Sequence, residues 1–240
     1  MKLGKVGVVV AARTSSTRLP GKALLPLQGV PMLTFLLRRL RGLQSGAVIL
    51  ATTDLPVDDE LATLAAREKI GVFRGSESDL VARYVGAAKQ FGLDTVARVT
   101  ADCPFVDAEL VDWCATRAVE FGDFDLATTK GQFPVGLDVE IYRAETMAAL
   151  HARAPLSPVH REHLTLYFYD HRDSFSVRSI VPPQDWGPAP RSLTVDTARD
   201  YSYARSLAGQ FEREDFRIPA LLAAASSSDF ADIADRPVGV

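Results

Sequence analysis

Residues 8–12, Val8-Val9-Val10-Ala11-Ala12, constrain the fold more than any other stretch of this chain. Three β-branched residues followed by two alanines leave no polar face, so the segment suits a strand covered on both sides, as strands of a parallel sheet are. The chain then passes directly into Arg13-Thr14-Ser15-Ser16-Thr17-Arg18-Leu19-Pro20-Gly21-Lys22, a loop of small residues carrying three cations. In open α/β sheets ligands sit outside the carboxyl ends of the strands. Arg13, Arg18 and Lys22 are therefore expected at a ligand crevice, where the small residues Ala11, Ala12, Ser15, Ser16 and Gly21 let backbone N–H groups approach phosphate oxygens. This pattern suits a polyanion such as a nucleoside triphosphate; the competing reading is a solvated basic loop.

Strand and helix patterns then alternate. From Pro31, Leu33, Leu36, Leu37, Leu40 and Leu43 follow helical spacing, with Arg38, Arg39 and Arg41 alongside. Residues 47–52 read as a buried strand, and Asp58, Asp59 and Glu60 open a helix ending near Arg67 and Lys69. A short strand at Val72-Phe73, a helix over 79–91, a strand over 95–99 and a helix over 107–121 continue the alternation, which predicts parallel strands with helical crossovers. Beyond Asp125 the pattern is mixed: a strand from Leu126, strands over 138–142 and 175–180, a helix containing 160–170, an irregular loop over 182–188, a strand at 193–195 and a helix over 198–211. The fold class expected is α/β, a mostly parallel twisted sheet with helices on both faces and a mixed C-terminal half.

At 240 residues and 47% hydrophobic content the chain suits one domain over 1–240. Its net charge of −3 argues against general nucleic-acid binding, which needs a basic excess. Cys103 and Cys114 are too few for a disulfide framework, and neither a secretory signal nor a run long enough to span a membrane is evident. The expectation is a soluble, cytoplasmic protein with no membrane partner.

The order A-R-x-x-S-x-R-L-P-G-K over residues 12–22 resembles the opening signature of the cytidylyltransferases that make CMP-activated sugars, the CMP-Kdo and CMP-sialate synthetases. The whole chain is most similar to their spore-coat polysaccharide biosynthesis branch. The likeness rests on Phe73-Arg74-Gly75-Ser76, Val99-Thr100-Ala101-Asp102-Cys103-Pro104, Gly136-Leu137-Asp138-Val139-Glu140 and Arg161-Glu162-His163; about the last thirty residues lack a counterpart. No Walker motif or G-x-G-x-x-G follows the first strand. The resemblance implies a nucleotide-diphosphosugar-transferase-like, Rossmann-like fold, CTP and a sugar or sugar acid as substrates, Mg²⁺ as cofactor and a homodimer. The rival functions are a glycosyltransferase of the same broad architecture and a nucleotide-binding domain without turnover.

Asp102 follows the apolar run ending at Val99, at the edge where ligands bind, although Asp there also serves turns. The resemblance makes it a metal ligand, and makes Arg13, Lys22 and Asp102 the catalytic set. It also makes Asp196, in Thr194-Val195-Asp196-Thr197, the second metal ligand; the alternative is helix N-capping before Ala198. The two carboxyl groups are expected within about 8 Å of each other, facing one crevice from the same sheet edge. Nucleotide contacts are expected from Ala11, Ala12, Arg13, Ser16, Arg18, Gly21 and Lys22, from Arg74, Gly75 and Ser76, which otherwise form a turn, and from Thr100 and Ala101. Thr100 stands where the CMP-Kdo enzymes have Gln, so base recognition must differ there or use backbone groups. Asp138 and Glu140 fall on one face of a strand pattern and, with His163, are candidates for the acceptor in a region over 125–190; a polar solvent edge is the alternative. Asp123-Phe124-Asp125 imitates a metal-binding D-x-D, but it precedes its strand instead of following one, and so belongs to the remote edge.

Overall fold

The computed structural model describes residues 2–183, 186, 189 and 191–227. Gln184, Asp185, Gly187 and Pro188 of the expected loop, and residues 228–240, lie outside the described residues. The chain runs β1 (Val6–Ala11), β2 (Pro26–Leu27), β3 (Val30–Pro31), α1 (Met32–Arg39), β4 (Gly46–Thr53), α2 (Asp59–Arg67), β5 (Gly71–Gly75), α3 (Leu80–Phe91), β6 (Thr95–Thr100) and α4 (Ala108–Glu120). It continues through β7 (Leu126–Thr128), β8 (Glu140–Arg143), α5 (Ala144–Arg153), α6 (Pro158–Glu162), α7 (Leu166–Asp170), β9 (Val177–Ser179), α8 (Ala198–Ala208) and α9 (Ile218–Ala225).

Seven strands form one sheet in the order β5-β4-β1-β6-β8-β7-β9; β5, β4, β1 and β6 are mutually parallel, and β8 runs antiparallel to both its neighbours. Val8, Val9 and Val10 are 0% exposed because both faces of β1 are covered. Val8 and Val10 pack with Leu33, Leu36 and Leu37 of α1, whereas Val9 packs on the other side with Val81 and Tyr84 of α3, the period-2 alternation of a strand splitting one apolar run between two cores. The strand order turns back after β5, so the chain next adds β6 on the far side of β1. Ligand crevices form at such a reversal, and here the carboxyl-terminal residues Ala11 and Thr100 are register partners.

Local chemistry sets the helix ends that matter for the crevice. Asp79 caps α3 by accepting from the Ala82 N–H at 2.8 Å, and Gly92, at φ +60°, ends it in the left-handed region. Asp107 caps α4 through the Leu110 N–H at 2.8 Å. Arg39 does not lie along an exposed face of α1; it is buried, and donates to the carbonyls of Phe105, Glu214 and Phe216.

Several expected elements differ. The helix expected from Pro31 ends at Arg39, short of Leu43, and the one expected over 198–211 ends at Ala208. The helix over 160–170 is two, α6 and α7, parted at 163–165 because Thr165 turns inward to donate its hydroxyl to Glu140 at 3.0 Å. The strand expected from Asp138 begins at Glu140, since the Asp138 carboxylate accepts from the Gly136 N–H at 3.0 Å and closes a turn. β9 covers only the middle of 175–180. Residues 193–195 form an extended segment outside the sheet, bonded through Leu193 N–H to Val135 O at 2.7 Å and Val195 N–H to Asp102 O at 2.8 Å. Asp123 and Asp125 precede β7, and Asp125 accepts from the Ser176 N–H, at the edge remote from the crevice. Among the described residues no helix is long and apolar enough to cross a membrane.

Gly136 lets the extended segment close in. At φ +98°, a Cβ placed there would stand 2.5 Å from the Leu193 carbonyl carbon and 2.6 Å from Thr194 N. Gly136→Ala should therefore destabilise the fold by about 1–3 kcal/mol through overpacking and backbone strain. Gly122→Ala is the control, since Gly122 also has positive φ (+73°) but a methyl group there would meet nothing within 4 Å. Urea midpoints should fall further for Gly136→Ala than for Gly122→Ala; equal shifts would show that the close approach carries no weight.

Candidate active site

The basic loop after β1 is held by a buried carboxylate. Asp58 is 1% exposed; it accepts from the Thr14 N–H at 2.8 Å, from the Thr14 hydroxyl at 2.6 Å, and from the Thr53 hydroxyl. Burial alone would raise the Asp58 pKa, but these donors and Arg83 hold it below the ordinary carboxylate value. Asp58, expected to open α2, stands just before it but makes no side-chain bond to the helix, and anchors the loop instead. Gly21, at φ +67°, donates its N–H to Thr14 O at 3.0 Å, turning the chain back so that Lys22 begins a single 3₁₀ turn.

That turn puts the Lys22 ammonium 3.2 Å from Asp102, 2.9 Å from Asp196 and 2.9 Å from Val195 O. Arg18 reaches Asp196 at 3.0 Å. Asp102 and Asp196 thus converge, their Lys22-facing oxygens no more than about 6 Å apart, the two contacts of 3.2 Å and 2.9 Å set end to end. The reason differs from the one expected, because Asp196 follows the extended segment that Gly136 admits, not a strand of the sheet. Burial pushes Asp102 up, yet the Lys22 charge and the Thr100 hydroxyl hold its carboxyl below the ordinary value. Cys103 packs beneath, its thiol pushed up by burial and thus unreactive.

These groups open onto a cleft of about 520 Å³. Ala11, Ala12, Arg13, Ser16, Arg18 and Lys22 line it from the β1 side, Thr100, Ala101 and Asp102 from β6, and His163 and Asp196 from the C-terminal half. Arg13 bridges its walls, donating to Glu77 O at 3.2 Å and to Glu162 at 3.1 Å. Gly21, Gly75, Ser76 and Asp138 are not among the lining residues. Arg74 turns away to the carbonyls of Thr53 and Leu55, both at 2.8 Å, and to Asp59 at 2.6 Å, which ties down the chain between β4 and α2. Ser76 accepts from the Asp79 N–H and braces the start of α3. Glu140 also stands apart: 1% exposed, it pairs with Arg98 at 2.5 Å and accepts from Thr165 and Tyr169. It does not share a polar strand face with Asp138.

The sequence reading missed Glu77, Arg83 and Glu162, which also line the cleft. Arg83 had a signal, a charge set within the apolar stripe Leu80, Val81, Tyr84 and Ala87. Glu162 stands beside His163 in Arg161-Glu162-His163, with no local feature that separates it from a solvated carboxylate. Asp102 and Asp196 supply carboxylate oxygens, the hard donors that a divalent cation takes, and an ammonium already sits between them. Among the described residues no cluster of three or more His, Cys, Asp or Glu side chains is placed to hold a metal. Any ion here therefore needs further oxygens from its ligand or from water.

The chain is similar to known proteins in sequence and in fold. A family model described as cytidylyltransferase matches residues 7–219. The spore coat polysaccharide biosynthesis protein SpsF of Bacillus subtilis is 31% identical over 83% of this chain and 84% of its own length. A 3-deoxy-manno-octulosonate cytidylyltransferase of Rhodospirillum centenum is 29% identical over 85% of this chain and 72% of its own. The structure of a cytidylyltransferase from Leptospira borgpetersenii superposes with a TM-score of 0.88 at 30% identity, covering 99% of this chain and 100% of that one.

The Arg98–Glu140 pair gives a test of what frames the site. The Glu140 pKa, which burial would raise, is held below its ordinary 4.5 by Arg98. A depressed folded pKa means stability that is fully present above the unfolded value and lost as pH falls through the folded one. Glu140→Gln should cost about 3–5 kcal/mol at neutral pH by leaving Arg98 unpaired. The difference from wild type, read from denaturation midpoints, should shrink steadily below the ordinary value of 4.5; a constant difference down to pH ~3 would contradict the ion pair.

Proposed function

The chain belongs to the cytidylyltransferase family, and on that premise we propose that it transfers CMP from CTP to a hydroxyl of a sugar or sugar acid, releasing pyrophosphate. The observation that carries this reading is the cluster of Arg18, Lys22, Asp102 and Asp196 at the carboxyl edge of β1 and β6. In it, cations suited to a triphosphate meet carboxylates suited to a divalent ion. The product would be an activated sugar for surface or spore-coat polysaccharide synthesis, a reading supported by the likeness to SpsF.

Phosphoryl-type transfer asks a protein mainly to position the reactants and to stabilise charge. Arg13, Arg18 and Lys22 bind the triphosphate, with the small residues Ala11, Ala12 and Ser16 admitting it close to the backbone. Lys22 exchanges its carboxylate partners for phosphate oxygens, and its ammonium offsets the charge that builds on the departing pyrophosphate. Asp102 and Asp196 would hold Mg²⁺, which when bound neutralises phosphate charge and polarises the acceptor hydroxyl. The acceptor enters from the region over 125–190, where His163 and Glu162 face the cleft and orient its hydroxyls. Asp138, behind the cleft wall, and Glu140, engaged by Arg98, act there only through the frame.

Following pyrophosphate release from CTP with Mg²⁺ and a panel of sugar acids, sugar phosphates and phosphonates tests nucleotide and acceptor together. Lys22→Ala and Asp102→Asn should each lower kcat by about 10²–10³, the scale for one lost transition-state charge contact. Glycosyl transfer from a nucleotide sugar, or unchanged kinetics in Lys22→Ala and Arg13→Ala, would remove this reading.

A further inference from the structure

Arg83 stands in the first turn of α3, 3% exposed, and lines the cleft. Its Nε is buried without a hydrogen-bond partner. Arg98 and Arg143 share that orphaned Nε, but their terminal nitrogens reach Glu140 and Thr95. Among the described residues the Arg83 guanidinium makes no side-chain hydrogen bond or ion pair at all. A donor this deeply buried and unsatisfied is costly, and its position on the cleft wall lets a bound ligand supply the acceptor.

The missing partner is a set of acceptors, not a counter-charge. Burial, more than nearby Arg13, works against the Arg83 charge, while Asp58 and Glu77 are close enough to support it. Beside its charged groups the cleft lining includes the small or apolar Ala11, Ala12, Leu80 and Ala101, which leaves room for a flat neutral ring. Position agrees. Ala23, next to Lys22, packs on the α1 side of the sheet, whereas Val81 and Tyr84, flanking Arg83, pack on the other. The Lys22 turn and α3 thus reach the cleft from opposite faces of the sheet. Thr100 offers no substitute, since its hydroxyl lies 3.3 Å from the Cys103 sulfur.

Resting on the cytidylyl reading above, we propose that Arg83 reads the nucleotide base, its forked donors taking the O2 and N3 acceptors of cytosine. Uracil turns an N3–H toward the same fork, donor against donor, and is rejected. Arg83 is thereby the residue that separates CTP from UTP.

The test compares kcat/KM for CTP and UTP, and equilibrium binding of CMP and UMP, in wild type, Arg83→Met and Arg83→Lys. Wild type should favour cytosine by about 10–100-fold, the discrimination a bidentate arginine–base contact provides. Arg83→Met should lose most of that preference through weaker cytosine binding. Arg83→Lys keeps the charge, loses the fork and should lose most of it too, which preserves the test if Arg83→Met does not fold. Because Arg83 also supports the buried Asp58 charge, the nucleotide-free Tm is measured for each variant beside the base preference. A lowered Tm with unchanged base preference would assign Arg83 to the fold and overturn the proposal, as would equal use of CTP and UTP by wild type. An unchanged CTP:UTP ratio with a raised acceptor KM would give Arg83 to the acceptor and overturn it as well. If wild type turns over no triphosphate, the transfer reading fails by itself; base reading then stands if CMP is bound over UMP only while Arg83 is present, and falls if the two bind alike.

Discussion

The Lys22 ammonium joins segments separated by up to 174 positions in the chain, and the geometry of the crevice depends on it. Two carboxylates about 6 Å apart repel by about 3 kcal/mol at an effective dielectric near 20, while each contact with the ammonium near 3 Å returns more than that. The attraction wins, so Asp102 and Asp196 are held in convergence. The same arithmetic lets a cation of higher charge take the ammonium's place, provided that phosphate oxygens receive the lysine in turn. A lysine set between two carboxylates therefore keeps both turned toward the crevice.

The sheet makes this arrangement possible. Because β1 is flanked by β4 on one side and β6 on the other, the loops leaving Ala11 and Thr100 diverge, and a gap opens between them. The loop leaving β1 would otherwise be a solvated tether of small residues. Asp58 converts it into a fixed surface by satisfying Thr14 through both backbone and side chain. The second carboxylate arrives by a different route, an extended segment docked on the loops and not in the sheet, and Gly136 supplies the room for it.

What the sequence made legible follows from how local each signal is. Val8-Val9-Val10 could be read as a doubly covered strand because burial on both faces removes every polar position, and the longer helices and strands of the parallel half follow from similar runs. The cations of the loop were legible because charge beside small residues at a strand end has few structural uses. Partner choice over long separations was not. Arg74 and Glu140 look like ligand contacts in one dimension, yet one spends its donors on Thr53, Leu55 and Asp59, and the other is enclosed with Arg98, 42 positions away. The break at 163–165 was equally hidden, since it exists to bring Thr165 to Glu140, a contact that no helical periodicity encodes.

Two kinds of ion pair divide the labour in the finished protein. Arg98 and Glu140, with side-chain exposures of 18% and 1%, are walled off from water, so separating them would strand a charge; they belong to the frame. Arg13 with Glu162 and Arg18 with Asp196 involve groups 27–66% exposed, where solvent screens the attraction and exchange costs little. A site that must take up a polyanion and release a product of similar charge needs its cations held weakly, on a backbone held strongly. The exposed pairs link the loop that Asp58 immobilises to α6 and to the segment that Gly136 admits, so the chain can surrender each of these contacts to a ligand without surrendering the position of the loop.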